Sequence, residues 1–159
     1  MEKSEFFTAI RDNHLNKVRE LLTSHPELIN AADSRGSSPL LLSAYYGLIE
    51  MTRLLLEFGP DINATDLSGN TALMGVSFKG YTNIARMLLE AGADPNIRNG
   101  NDSTALIFAA TFGKDDMVKL LLEHGADRDT TDSAGYTAID HARMQGMQQV
   151  IALLESEPN

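Results

Sequence analysis

The sequence predicts an all-α solenoid of stacked helix-turn-helix units joined by β-turn or hairpin loops. Two glycine series carry that expectation. Gly47, Gly80, Gly113 and Gly146 recur at intervals of 33 residues, and Gly59, Gly92 and Gly125 form a second series with the same interval. A period of this length marks one supersecondary unit copied in tandem. A single unit cannot bury its apolar face, so the copies must stack. Such a stack presents a surface and seldom a catalytic pocket.

The elements of each copy follow in order. Copies begin at Asp33, Asp66, Asn99 and Asp132, giving repeats of about 1–32, 33–65, 66–98, 99–131 and 132–159 within one domain, 1–159. Each opens with a turn, as in Asp33-Ser-Arg-Gly36 or Asp66-Leu-Ser-Gly69. A hydroxyl residue follows (Ser38, Thr71, Thr104, Thr137), placed to accept from orphan N–H groups at the start of a first helix. Pro39 comes next, at the first helical position, where a missing N–H costs nothing. After a glycine break comes a second helix, such as Ile84–Leu89 or Met117–Leu122, apolar on most of its circumference and so expected between neighbours. Gly59, Gly92 and Gly125 then end those helices in the manner of left-handed C-caps. Residues 1–32 read as a degenerate copy, with Ala9–Asn13 matching Ser43–Gly47 and Val18–Leu22 matching Thr52–Leu56.

Composition narrows the function classes. A chain of 159 residues with 43% hydrophobic content is one domain with ample core. No run nears the roughly 18 apolar residues of a membrane span, and the acidic start, Met1-Glu-Lys-Ser-Glu, lacks the basic flank of a signal peptide. With no cysteine there is no disulfide or thiolate chemistry, which suits a cytoplasmic setting. A net charge of −9, from 13 basic and 22 acidic residues, argues against nucleic acid and is ordinary for a soluble protein.

The Thr-Ala-Leu tetrapeptides at Thr71, Thr104 and, as Thr-Ala-Ile, Thr137, the Gly80 break and the Leu88–Asp94 run together resemble the ankyrin repeat, over essentially the whole chain. The family's length and turn–helix–helix order match. Three departures stand out. The family's His after Leu is replaced by Leu41, Met74, Ile107 and Asp140. Asn99-Gly-Asn-Asp102 lacks a glycine at the turn corner, so Asp102 is expected to take the left-handed position. Arg128-Asp129-Thr130 replaces an apolar residue plus Asn. The ends read as caps of a stand-alone stack. Arg11, Asp12, Asn16, Lys17 and Glu20 lie on copy one, and Gln145, Gln148, Gln149, Glu155 and Glu157 on copy five.

Chemistry-bearing constellations are sparse. His14, His25, His124 and His141 fall at unrelated repeat positions. His141 follows Asp140, but neighbours on a helix point about 100° apart, so the pair is no oriented dyad. No phosphate loop, zinc or calcium motif, or nucleophile elbow is present. Asp61, Asp94 and Asp127 align along the stack. A cation ladder is one reading, and local backbone bonding in each turn is the other and the expected one. The chain is therefore expected to be no enzyme and to use no metal or cofactor.

The first helices hold the better clue. With Leu40 and Ala44 on the core face, Tyr45 and Tyr46 point to the far side. Their counterparts are Phe78 and Lys79, then Thr111 and Phe112, then Met144 and Gln145. Tyr136 extends the row, and Met51, Met74, Met87, Met117 and Met147 are assigned to the core. Exposed aromatics in a row mark a binding surface, although one residue of each pair is also placed to pack against the next copy. The resemblance implies that these helix residues and the turn tips line a concave groove. The partner-binding set is then Arg35, Ser37, Leu67, Asn70 and Asn101 from the turns, with Tyr45, Tyr46, Phe78, Lys79, Thr111, Phe112, Tyr136 and Met144. The expected function is a monomeric protein-interaction module for an unidentified protein or peptide, with neither nucleic acid nor membrane as partner. The alternative is a small-molecule sensor, which would need a closed concavity of several hundred cubic ångströms.

Overall fold

A computed structural model describes residues 2–156. Glu157, expected on the outer face of the last copy, lies outside the described residues. The helices come in five pairs: α1 (Glu2–Arg11) and α2 (Leu15–Ser24), α3 (Pro39–Tyr45) and α4 (Ile49–Glu57), α5 (Ala72–Lys79) and α6 (Thr82–Glu90), α7 (Ala105–Thr111) and α8 (Asp115–Glu123), α9 (Ala138–Gln145) and α10 (Gln148–Glu155). A 3₁₀ turn, Pro26–Asn30, closes copy one. No strand occurs among the described residues.

Local chemistry sets each boundary. The Ser38 hydroxyl accepts from the Leu41 N–H at 3.0 Å, and Thr71, Thr104 and Thr137 do the same for Met74, Ile107 and Asp140. Asp140 reciprocates by accepting the Thr137 N–H at 3.0 Å, closing a capping box. This gives one departure from the repeat pattern a purpose. Gly92, at φ +103°, follows Ala91, the C-cap of α6, and its successor Ala93 donates to the Leu88 carbonyl at 2.9 Å, in the manner expected of a C′ glycine. At the turn that opens the fourth copy Asp102 does take the left-handed place, with φ +59°, and Asn13, aligned with Gly47, has φ +58°.

First helices pack on first helices and second on second, each pair also packing internally. The first helices are the more enclosed. In α5, Ala72, Leu73, Met74, Val76 and Ser77 are buried, whereas α6 buries Ile84, Ala85, Leu88 and Leu89 and exposes Asn83, Arg86 and Glu90. The second helices are thus one-sided rather than apolar all round, since α6 has solvent behind it. Met51, Met74 and Met117 are in the core, Met87 and Met147 are half-buried, and Met144 is exposed.

Side chains from one copy also hold the backbone of the next. Asn30, Asn63 and Asn96 accept the N–H of Asp61, Asp94 and Asp127 at 2.8–3.0 Å. The carboxylates of those aspartates turn inward to the N–H of Asn63, Asn96 and Asp129, the local reading of that series. Where the ladder ends, Arg128 takes a different role. Its Nη1 donates to the carbonyls of Leu154 and Ser156, both at 2.8 Å, satisfying acceptors at the end of α10.

Candidate functional site

One face of the stack is built from turns and first helices, and every turn is fixed by the same device. Oδ1 of Asp33 accepts the N–H groups of Arg35 and Ser37, and Asp66, Asn99 and Asp132 repeat this two and four residues on. Adjacent tips are then tied by single backbone bonds: Leu67 to the Arg35 carbonyl, Gly100 to Ser68, Ser133 to Asn101. The side chains of Arg35, Leu67 and Asn101 are therefore displayed from a restrained backbone, all exposed, Leu67 at 82%. Leu67 lies across Gly36, where a Cβ would meet its Cγ and its backbone N at 2.9 Å.

Tyr45, Tyr46, Phe78, Phe112, Tyr136 and Met144 are all exposed. Four of the rings also touch in pairs. Phe78 and Phe112 meet edge-on across two copies at 4.8 Å between centroids, Tyr45 and Tyr46 at 6.1 Å, and Lys79 Nζ stands 4.7 Å from the Tyr45 centroid. The two readings of each pair are thus compatible, because these rings contact neighbours while keeping a solvent face.

Three expected contact residues are placed differently. Ser37 is buried, at 7% exposure, and both its N–H and its carbonyl are spent on Asp33; it forms the floor of the turn and lines the 460 Å³ cavity there. Asn70 is half-buried, its Oδ1 accepting from Asn99 Nδ2 at 2.8 Å. Thr111 returns its hydroxyl to the Ile107 carbonyl at 2.7 Å, leaving Phe112 as the exposed member of its pair.

Two cavities adjoin on this face. The larger, 460 Å³, spans copies one to three and includes Arg11, Asp33, Arg35, Tyr45, Tyr46 and Asp66 in its wall. The smaller, 270 Å³, is mostly apolar and shares Leu41, Tyr45, Asp66 and Asn70 with the first. The larger has the volume of a small-molecule site, but most of its lining side chains are polar or charged, unlike the apolar lining usual for such sites.

Sequence reasoning missed several of these residues. Asp33 and Asp66 read only as turn openers, yet both line the groove. Asp132 and His141, nine residues apart, form a pair at 2.6 Å between Oδ2 and Nε2, so the imidazole uses the turn carboxylate and not the adjacent Asp140. Burial pushes the Asp132 carboxyl up, but the Tyr136 N–H, His141 and the Ala134 N–H together hold it below the usual range. Asp140 is lowered too, by the Thr137 N–H and hydroxyl. One signal was available: the 33-residue register places Asp132 and His141 opposite Asp66 and Gly75 of copy three.

Comparison with known proteins agrees with this architecture. A family model described as ankyrin repeats (3 copies) matches residues 6–99, and a second, ankyrin repeats (many copies), matches residues 88–142. The chain is similar to ankyrin repeat domain-containing protein 49 of Drosophila melanogaster, 36% identical over 50 residues. That stretch is 31% of this chain and 23% of the fly protein's length. No helix among the described residues is long and apolar enough to cross a membrane.

Proposed function

Because the chain belongs to the ankyrin-repeat family, whose repeats are generally protein–protein interaction modules, we propose that it is a non-catalytic binding module that holds a protein partner along the face built by its turns and first helices. The observation that carries this is the row Tyr45, Tyr46, Phe78, Phe112 and Tyr136, each at least one-third exposed and each carried on or beside a first helix. Aromatic anchors of this kind dominate interface energy. The turns beside them are held by their own Asx bonds and by bonds to neighbouring tips, so little backbone order is lost on binding. The protein acts as a monomer, in the cytoplasm, a setting that its lack of cysteine supports. The polar lining of the larger cavity favours a protein surface over a small metabolite.

The test compares Tyr46→Ala/Phe112→Ala with the parent, using a partner captured on the parent and then purified. The double variant should melt close to the parent and bind about thirtyfold more weakly, the equivalent of about 2 kcal/mol. Full-strength binding by a folded double variant would move the contact surface elsewhere.

A further inference from the structure

Copy three lacks a side chain that its neighbours carry. The position filled by Leu42 in α3, Phe108 in α7 and His141 in α9 is Gly75 in α5. Gly75 is not among the glycines with positive φ, so the backbone does not demand glycine there. The missing side chain leaves the 270 Å³ cavity, walled by Tyr45 from the preceding copy and Phe108 from the following one. Asp66 is the one charged residue in that wall.

Asp66 is also the odd one among the turn residues. Oδ2 of Asp33 stands 3.9 Å from Arg11, and that of Asp132 is 2.6 Å from His141. Asn99 uses its Nδ2 on Asn70. Asp66 spends Oδ1 on the N–H groups of Ser68 and Asn70, and its Oδ2 has no hydrogen-bond or ion-pair partner among the described residues. In copy five the residue at the Gly75 position is the one that meets the turn carboxylate. Since ionised Asp132 can only accept, His141 Nε2 donates. Copy three thus has the carboxylate and the space, but no donor.

We propose that this cavity receives an arginine side chain of the protein partner, which takes the place of the missing helix side chain and donates to Asp66 Oδ2 as His141 does to Asp132. This rests on the groove reading above. Arginine fits because its guanidinium keeps its charge, is weakly hydrated and stacks on aromatic faces. The Tyr45 ring already holds the Lys79 cation on one side. Of the nearby cations, Arg11 stands by Asp33, Lys79 lies over Tyr45, and Arg35, which shares the wall of the larger cavity with Asp66, makes no ion pair with it, which leaves Asp66 without a counter-ion among the described residues. The net charge of −9 favours encounter with a basic segment.

The probe is the capped tripeptide acetyl-Ala-Arg-Ala-amide, titrated into the full chain labelled with ¹⁵N. Saturable shifts are expected at the amides of Gly75, Asn70 and Phe78. The citrulline peptide, matched in shape but neutral, should bind about tenfold more weakly or worse. Asp66→Asn should cause the same loss without unfolding, because Asn99 makes the same turn in copy four. Gly75→His, which refills the cavity, should abolish binding at an unchanged or higher Tm, since glycine is a poor interior helix residue. A Cβ there meets Tyr45 Cδ1 at 3.3 Å, and if that crowding prevents folding, Asp66→Asn alone decides. Equal binding of arginine, citrulline and norleucine peptides, parental affinity in Asp66→Asn, or shifts outside the cavity would each overturn the proposal. A captured partner weakened by Tyr46→Ala/Phe112→Ala yet indifferent to Asp66→Asn refutes the arginine receptor and spares the groove reading. Indifference to both refutes both.

Discussion

Asp132 does two jobs with two oxygens: Oδ1 shapes the last turn and Oδ2 holds His141. Asn99 shows that an amide can do the first job but leaves no anion for the second. Asp132→Asn should therefore keep the turn and lose the charged bond, costing about 1–3 kcal/mol at pH 7. The sign with pH follows from the lowered carboxyl. An ionised group whose folded pKa lies below its unfolded value stabilises above the unfolded value, near 4. That contribution is lost as pH falls through the folded value. Urea melts of parent and variant should accordingly differ most at neutral pH, begin to converge below about pH 4 and coincide only once the pH is below the folded value. A difference unchanged at low pH would mean that the pair contributes nothing through its charge. This bond was not legible as chemistry along the chain, because His141 was weighed against its helix neighbour and the partner sits in the preceding turn. The cap hydroxyls were legible, since cap and acceptor lie three residues apart.

At the scale of elements, stability rests on the interfaces between like helices. Leu88 and Leu121 are wholly buried in α6 and α8. Truncating either to Ala should cost about 2–5 kcal/mol, and a loss below about 1 kcal/mol at both sites in denaturant melts would contradict this packing. Position Leu122 is a milder case than repeat spacing suggests. It is half-buried, and its counterpart Glu155 is exposed and pairs with Arg143 at 3.1 Å. Leu122→Glu should destabilise, but less than Leu121→Ala, because water reaches part of the site. The end of α10 depends on Arg128, whose bonds span 26 and 28 residues. Arg128→Ala should raise amide exchange across α10 and leave α6 unchanged; equal protection in parent and variant would show that the guanidinium is dispensable. Sequence reading flagged Arg128 as irregular but could not supply its purpose, because its acceptors are backbone carbonyls at the far end of another helix.

For the whole molecule, the period of 33 residues was sufficient to read element order and turn placement, because each copy contacts only its neighbours. Side-chain exposure followed for the aromatic row, since a single helical rotation governs it. Ser37 went the other way because the turn folds back on Asp33, which helical geometry does not describe. The cavity at Gly75 was equally open to reading, as a glycine where other copies carry Leu, Phe and His, but a missing side chain leaves no apolar pattern to notice. The central claim is that partners sit on the face of the turns and first helices. It is tested most directly by placing a photo-crosslinking amino acid at Tyr46, on that face, and in a second protein at Arg86, exposed on α6. Covalent adducts with the purified partner are expected at Tyr46 and few at Arg86, while adducts at Arg86 with none at Tyr46 would move the contact surface to the second helices.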